Sequence, residues 1–288
     1  MLDMDRRTFL GTMAAAALAS RGGSAASIPQ IGMQLYTVRT DLEKDFAGTI
    51  AKVAAIGYKE VEFAGYFNHT PTQVKETLTA NGLTSPSAHI DYATLGPDKL
   101  TAALDAAHTI GHTFLVNPWI DESVRSQPGS WQRIAETYNR AGEACAKAGI
   151  QFAYHNHNFE FAPVDGKLPY DVLLESCDAA LVKMELDLCW ISAAGKDPVD
   201  YFKRYPGRFP LVHVKGLSKV TPGGAAMPID QLLPAIADVG TGDVIDWKRI
   251  FAHASEAGIK HYFVEHDVSK APYQTLAASY AYLQKLQF

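Results

Sequence analysis

Eight short apolar runs recur along this chain, and each closes on a polar side chain that an alternating strand would aim the same way. The closing residues are Gln34, Glu62, His89, Asn117, His155, Asp187, His213 and Glu265. Side chains on a strand alternate between two faces, so such a run carries one packing face and one polar face. Phe152 and Tyr154 oppose Ala153, His155 and His157. Met184 and Leu186 oppose Glu185 and Asp187. Val212 and Val214 oppose His213 and Lys215, and Tyr262 and Val264 oppose Phe263 and Glu265. A ring of parallel strands gathers such ends on one face, where carboxylates beside imidazoles suit a metal ion.

The spacing predicts strands over 30–36, 59–63, 84–90, 112–117, 150–156, 181–187, 209–215 and 260–265. Helical spacing falls between them, over 46–56, 98–110, 131–148 and 247–257. Gly57, Gly82, Gly111, Gly149 and Gly258 each sit just past a helical segment, where a left-handed turn is least costly for glycine. Eight strand–helix units without a linker predict one domain, a single (β/α)8 TIM barrel. A doubly wound sheet is the competitor, but no GxGxxG follows the first strand. A glycine- and proline-rich stretch, 218–246, is expected to overhang the active face. At 288 residues and 47% apolar content the chain has ample core for this fold. Its formal charge of −5, without a basic run, excludes a nucleic-acid backbone as the expected partner.

The first 26 residues read as an address. Arg6-Arg7 precedes Phe9-Leu10, an alanine-rich stretch and then Ser24-Ala25-Ala26. That order resembles a twin-arginine signal peptide, which predicts periplasmic or secreted localisation after cleavage. The apolar stretch is short and alanine-rich, so no stable membrane span is expected. Three cysteines make a poor disulfide framework, and Cys145, Cys177 and Cys189 are expected as buried thiols.

Five segments carry a family resemblance: Gly32-Met-Gln-Leu-Tyr-Thr-Val-Arg39, Tyr154-His-Asn-His-Asn-Phe-Glu-Phe161, Leu186-Asp-Leu-Cys-Trp190, His213-Val-Lys-Gly216 and Val264-Glu-His-Asp267. Together, over 29–287, the chain resembles the sugar phosphate isomerase/epimerase family of the xylose isomerase-like TIM-barrel superfamily. The resemblance implies one divalent ion, Mn²⁺ ahead of Mg²⁺, Co²⁺ or Zn²⁺, held by Glu, Asp, His and Glu from strands five to eight. Carried over by position, Asp187, His213 and Glu265 match the last three ligands. The family's strand-five Glu is replaced here by His155, so Glu160, five residues later, is expected to fold back as the first ligand.

Each position also has a plainer reading. His155 and His157 stand either in the site or behind it. Glu62 and His89, with Gln34, either meet sugar hydroxyls or plug the barrel end. Lys215 either neutralises an oxyanion or pairs with Glu185. Tyr36 and Trp190 either stack on a sugar or pack in the core. Charged groups are rarely buried unless paired or metal-bound, and their convergence favours a site.

The expected chemistry is removal of a sugar C–H proton, with the ion stabilising the enediolate, and Glu160, Glu265 or His157 carrying the proton. Epimerisation, isomerisation or elimination from a 3-keto-glycoside would each follow from that step. The periplasmic address argues against a phosphorylated substrate. Two other classes are a barrel that binds carbohydrate without catalysis and an endonuclease-IV-like phosphodiesterase, the latter disfavoured by charge. The sequence leaves a homo-oligomer open.

Overall fold

The computed structural model describes residues 26–288. The expected export signal therefore lies, apart from Ala26, outside the described residues. No helix among the described residues is long and apolar enough to cross a membrane.

Ten strands form in chain order: β1 Ile31–Gln34, β2 Glu60–Phe63, β3 Thr84–His89, β4 Phe114–Asn117, β5 Gln151–His155, β6 Val182–Asp187, β7 Leu211–Val214, β8 Gly216–Leu217, β9 Ile236–Ala237 and β10 His261–Val264. Eight close into a parallel barrel in the order β1-β10-β7-β6-β5-β4-β3-β2. The remaining two, β8 and β9, form a small antiparallel pair outside it.

Strand parity decides what the barrel encloses. Phe152, Tyr154, Met184, Leu186, Val212, Val214, Tyr262 and Val264 turn outward into the main core shared with the helices. The alternate positions Phe114, Val116, Ala153, Leu211 and Phe263 form a separate apolar layer inside the barrel. Gly32 makes room for that layer, since a Cβ there would lie 2.7 Å from the Phe263 ring. The next inward positions along β5, β6, β7 and beyond β10 are His155, Asp187, His213 and Glu265, so the polar site rests on an apolar floor.

The expected helices appear at Phe46–Ile56, Pro97–Ile110 and Ser130–Lys147. The last expected helix is broken into Trp247–Phe251 and Ala254–Ala257 around His253, whose backbone leaves helical geometry. Gly57, Gly82, Gly111, Gly149 and Gly258 all take positive φ. All three cysteines are buried and free.

Two sequence expectations change. Asn117 does not share the inward phase of the other strand ends. It receives the Tyr138 hydroxyl at 2.7 Å and donates to the Ile90 carbonyl at 2.9 Å, while Val116 takes the inward place. The first strand stops at Gln34, because the Gln34 side chain accepts the Tyr36 amide at 3.0 Å and starts a 3₁₀ turn over Leu35–Val38.

Candidate metal centre and pocket

His155, Asp187, His213 and Glu265 converge at the C-terminal mouth of the barrel, all buried, with one donor atom from each within 4.8 Å of the others. Local structure aims each of them. Asp187 ends β6 and caps the helix Leu188–Ala193: Oδ1 accepts the Trp190 amide at 2.8 Å, which leaves Oδ2 for the centre. Asn156 Oδ1 accepts the Asp187 amide at 3.0 Å and ties the ends of β5 and β6 together. His155 Nε2 lies 3.1 Å from His213 Nδ1 and 3.4 Å from Asp187 Oδ2. His213 Nδ1 lies 3.0 Å from Glu265 Oε2 and 3.8 Å from Asp187 Oδ2.

These residues fit a cation. Asp187 Oδ2 is buried without a hydrogen bond of good geometry and already has the Lys215 ammonium 3.1 Å away, so it is an oxygen placed to face positive charge. Two ring nitrogens and two carboxylate oxygens facing one another are mutually repulsive unless protons or a positive ion stand among them. Two imidazoles and two carboxylates suit a first-row transition ion better than an all-oxygen shell would.

A second group, buried Glu62 and Glu185 with the partly buried His89, sits against the other nitrogen of His213. His213 Nε2 is 2.7 Å from Glu62 Oε2 and 3.3 Å from Glu185 Oε2. His89 Nε2 lies 3.1 Å from Glu62 Oε2 and 2.8 Å from Glu185 Oε2. Glu62 is held in turn by Gln34 Nε2 at 2.7 Å and the Ser87 hydroxyl at 2.5 Å. Burial alone would lift the Glu62 carboxyl, but His89 and His213 outweigh it and hold it well below the usual carboxylate range. Burial opposes the charged form of His89, yet Glu62 and Glu185 raise it to about 9.

Lys215 completes the electrostatics. Its ammonium lies 3.1 Å from Asp187, 2.7 Å from Glu265 and 2.8 Å from Asp267. Burial disfavours its charge, but those carboxylates push its pKa well above the usual lysine value. The plainer reading that paired Lys215 with Glu185 is replaced by this triad. Burial would raise Glu265 too, and Lys215 and His213 outweigh it, so Glu265 stays ionised.

Above the centre opens a cavity of about 730 Å³. His89, His155, His157, Lys215, Glu265 and Trp190 all line it, as does Tyr36. His157 Nδ1 has no hydrogen-bond partner, and burial holds this imidazole well below its usual pKa. Ile229 and Leu233 from the 218–246 stretch form part of the wall, as expected for an overhang. Gln34 and Glu62 are fully buried behind His213 and do not reach the wall, so neither stands where it was expected to meet substrate.

Glu160 is the main correction. It lies on the 3₁₀ turn Phe159–Phe161, and its carboxyl accepts from the Tyr154 hydroxyl and, at 2.9 Å, from the His157 amide. Tyr154 points outward from the barrel, so this pairing draws Glu160 away from the quartet, and His155 fills the strand-five place. Burial raises the Glu160 carboxyl to about 7. Glu160 is also not among the residues that line the cavity.

A family described as xylose isomerase-like TIM barrel matches residues 50–286. The chain belongs to that family. It is 24% identical over 271 residues to an inosose dehydratase of Lacticaseibacillus casei, covering 84% of this chain and 89% of that protein. The solved structure of a sugar phosphate isomerase/epimerase from Parabacteroides distasonis superposes with a TM-score of 0.73 at 25% identity, over 91% of this chain and 95% of that one. The IOLI protein, solved with a bound zinc atom, shares the fold at 12% identity and TM-score 0.67, over 90% of this chain and 99% of that one.

Within the xylose isomerase-like frame, the sequence reading gave Glu185 only as an alternative partner of Lys215, not of His89 and His213, and missed Asp267 in the charge network and Arg39 and Trp119 as cavity residues. Glu185 had the right parity with Asp187, two residues along β6, and that signal was available. Asp267, Arg39 and Trp119 lie beyond strand ends, where no periodicity speaks for them.

The Glu62 contact has a measurable consequence. A carboxylate on one imidazole nitrogen fixes the ring and tautomer that present the other nitrogen to a metal, and losing such a partner typically costs 10–100-fold in metal affinity. Glu62→Gln is therefore expected to weaken divalent-ion binding about 10–100-fold while the protein stays folded. Titration calorimetry with Mn²⁺ or Zn²⁺ measures it, and unchanged affinity would deny Glu62 this role.

Proposed function

We propose that this protein is a metal-dependent sugar isomerase or epimerase that labilises a C–H bond beside a carbonyl. The observation carrying this reading is the His155–Asp187–His213–Glu265 quartet at the floor of an open cavity. A divalent ion held there would polarise neighbouring sugar oxygens. Mn²⁺, Zn²⁺ and Co²⁺ suit the mixed nitrogen and oxygen donors better than Mg²⁺ does.

The chain's own residues supply the rest. Glu265 lines the cavity as an ionised carboxylate, oriented by Lys215 and His213, and is the first proton acceptor we assign. Glu265, protonated by that step, can return the proton to the neighbouring carbon, and His157, neutral and with Nδ1 unpartnered, is a second group able to accept one. Lys215 keeps three carboxylates together at the site and offsets charge that develops on substrate oxygen. His89, Tyr36 and Trp190 are placed to contact the sugar.

A second reading is dehydration, in which loss of the same proton expels a hydroxyl group. The similarity to inosose dehydratase over most of the chain favours it. The Arg6-Arg7 address supports a periplasmic site of action for either reaction.

Metal analysis of the purified protein, followed by incubation with keto-sugars, inososes and 3-keto-glycosides in D₂O, tests both. Deuterium entry into recovered sugar indicates isomerase or epimerase action, and an unsaturated product indicates elimination. Chelation should abolish either signal. Turnover that survives complete chelation would sink the reading.

A further inference from the structure

Resting on the sugar-directed reading above, the mouth of the cavity bears on substrate class. Among the described residues, the exposed tyrosines, tryptophans and phenylalanines number only two, Tyr36 at 39% and Trp119 at 38%. Both line the same cavity. Exposed large aromatics gathered at one mouth are a recognition feature rather than random surface.

Trp119 is held in place. Its indole N–H donates to Asp121 at 3.1 Å, and the rings of His157 and Phe159 meet it edge to face at 5.1 and 5.5 Å. Tyr36 is fixed by the Arg39 guanidinium, 3.8 Å from its ring centroid. Ile229 and Leu233 extend the apolar wall from the stretch after β7. These side chains stand at the outer wall, whereas the metal-ligand quartet lies buried at the floor. A cavity of about 730 Å³ belongs with drug-sized ligands rather than with a single small sugar.

The charges at this mouth disfavour a phosphate. Of the lysines and arginines, Arg39 and Lys215 line the cavity. Arg39 donates to the carbonyls of Tyr36 at 2.7 Å and Asp267 at 3.1 Å. Lys215 is enclosed by three carboxylates. Asp91, Glu265 and Asp267 are also on the wall. A phosphate group would meet carboxylates, with Lys215 enclosed by three of them and Arg39 already donating to two carbonyls.

We infer that Tyr36, Trp119, Ile229 and Leu233 form an outer subsite for an uncharged apolar or aromatic group attached to the reacting sugar. The substrates are then keto-glycosides, with the oxidised sugar ring over the quartet and the aglycone against Trp119.

Calorimetry on the manganese-loaded protein tests this with gluco-, galacto- and manno-configured free sugars, their 6-phosphates and their phenyl glycosides. In at least one configuration the phenyl glycoside should bind about tenfold tighter than its parent sugar, and the phosphate should gain nothing. Trp119→Ala should bring the ratio of phenyl glycoside to parent affinity close to one, and Trp119→Phe should keep most of it. Thermal melts show that both variants are folded. Equal affinity for phenyl glycoside and parent in every configuration, or tightest binding of a phosphate, overturns the subsite. So does an undiminished ratio in Trp119→Ala. Deuterium exchange into free sugars alongside that result would leave the isomerase reading standing and remove only this inference.

Discussion

Glu265→Gln is expected to cut deuterium exchange and turnover by about 10³-fold while leaving the barrel folded. The size follows from two losses at one atom. Glu265 Oε2 faces His213 Nδ1 at 3.0 Å and the Lys215 ammonium at 2.7 Å, so it belongs both to the ligand quartet and to the cavity wall. An amide keeps the shape but loses the negative charge and the basicity. General-base removal alone typically costs 10²–10⁴-fold, and a weakened metal site adds to that. The fold should survive because Lys215 retains Asp187 and Asp267 as partners. Glu160→Gln makes the contrast. Its carboxyl faces Tyr154 and the His157 amide, so the change should cost far less than Glu265→Gln. Rates of exchange measured by mass spectrometry on both variants decide the matter. A Glu160→Gln loss equal to or greater than that of Glu265→Gln would return Glu160 to the proton-transfer role.

That contrast also marks where sequence reasoning held and where it failed. Parity along β5, β6, β7 and β10 placed His155, Asp187, His213 and Glu265 on the inner face, because the period of a strand leaves no alternative once the outer positions are committed to helix packing. Asn117 escaped the rule because its run is out of phase by one residue, which polarity alone does not reveal. Glu160 was misplaced for a different reason. It lies beyond the end of β5, where direction is set by a turn and by a partner, Tyr154, that belongs to the opposite face. A different limit applied to Glu62 and Gln34. Their inward direction was legible, but whether they reach the cavity or stop behind His213 depends on depth in the barrel.

The apo protein should be far more sensitive to loss of Lys215 than the metal-loaded one. Lys215 is 1% exposed and lies within 3.1 Å of Asp187, Glu265 and Asp267. Lys215→Met keeps the length and apolar stem but removes the ammonium from buried Asp187 and Glu265 and from the partly buried Asp267. Breaking a buried ion pair from one side typically costs about 3–5 kcal/mol, and unfolding in urea without metal should show a loss of that order. The ammonium contacts Asp187 Oδ2 and Glu265 Oε2, the same oxygens that face His155 and His213. Lysine and metal therefore serve the same two oxygens, and a divalent ion should restore much of what Lys215→Met removes. Ligand present at 1,000 times its dissociation constant stabilises a fold by about 4 kcal/mol, enough to offset most of the deficit. Because the ion no longer shares those oxygens with an ammonium, metal affinity should rise in the variant even as turnover falls. Denaturation with and without Mn²⁺, together with calorimetry, reads both effects. A Lys215→Met protein as stable as wild type without metal, or one whose deficit metal leaves untouched, would show that the lysine and the ion do not act on a common pair of carboxylates.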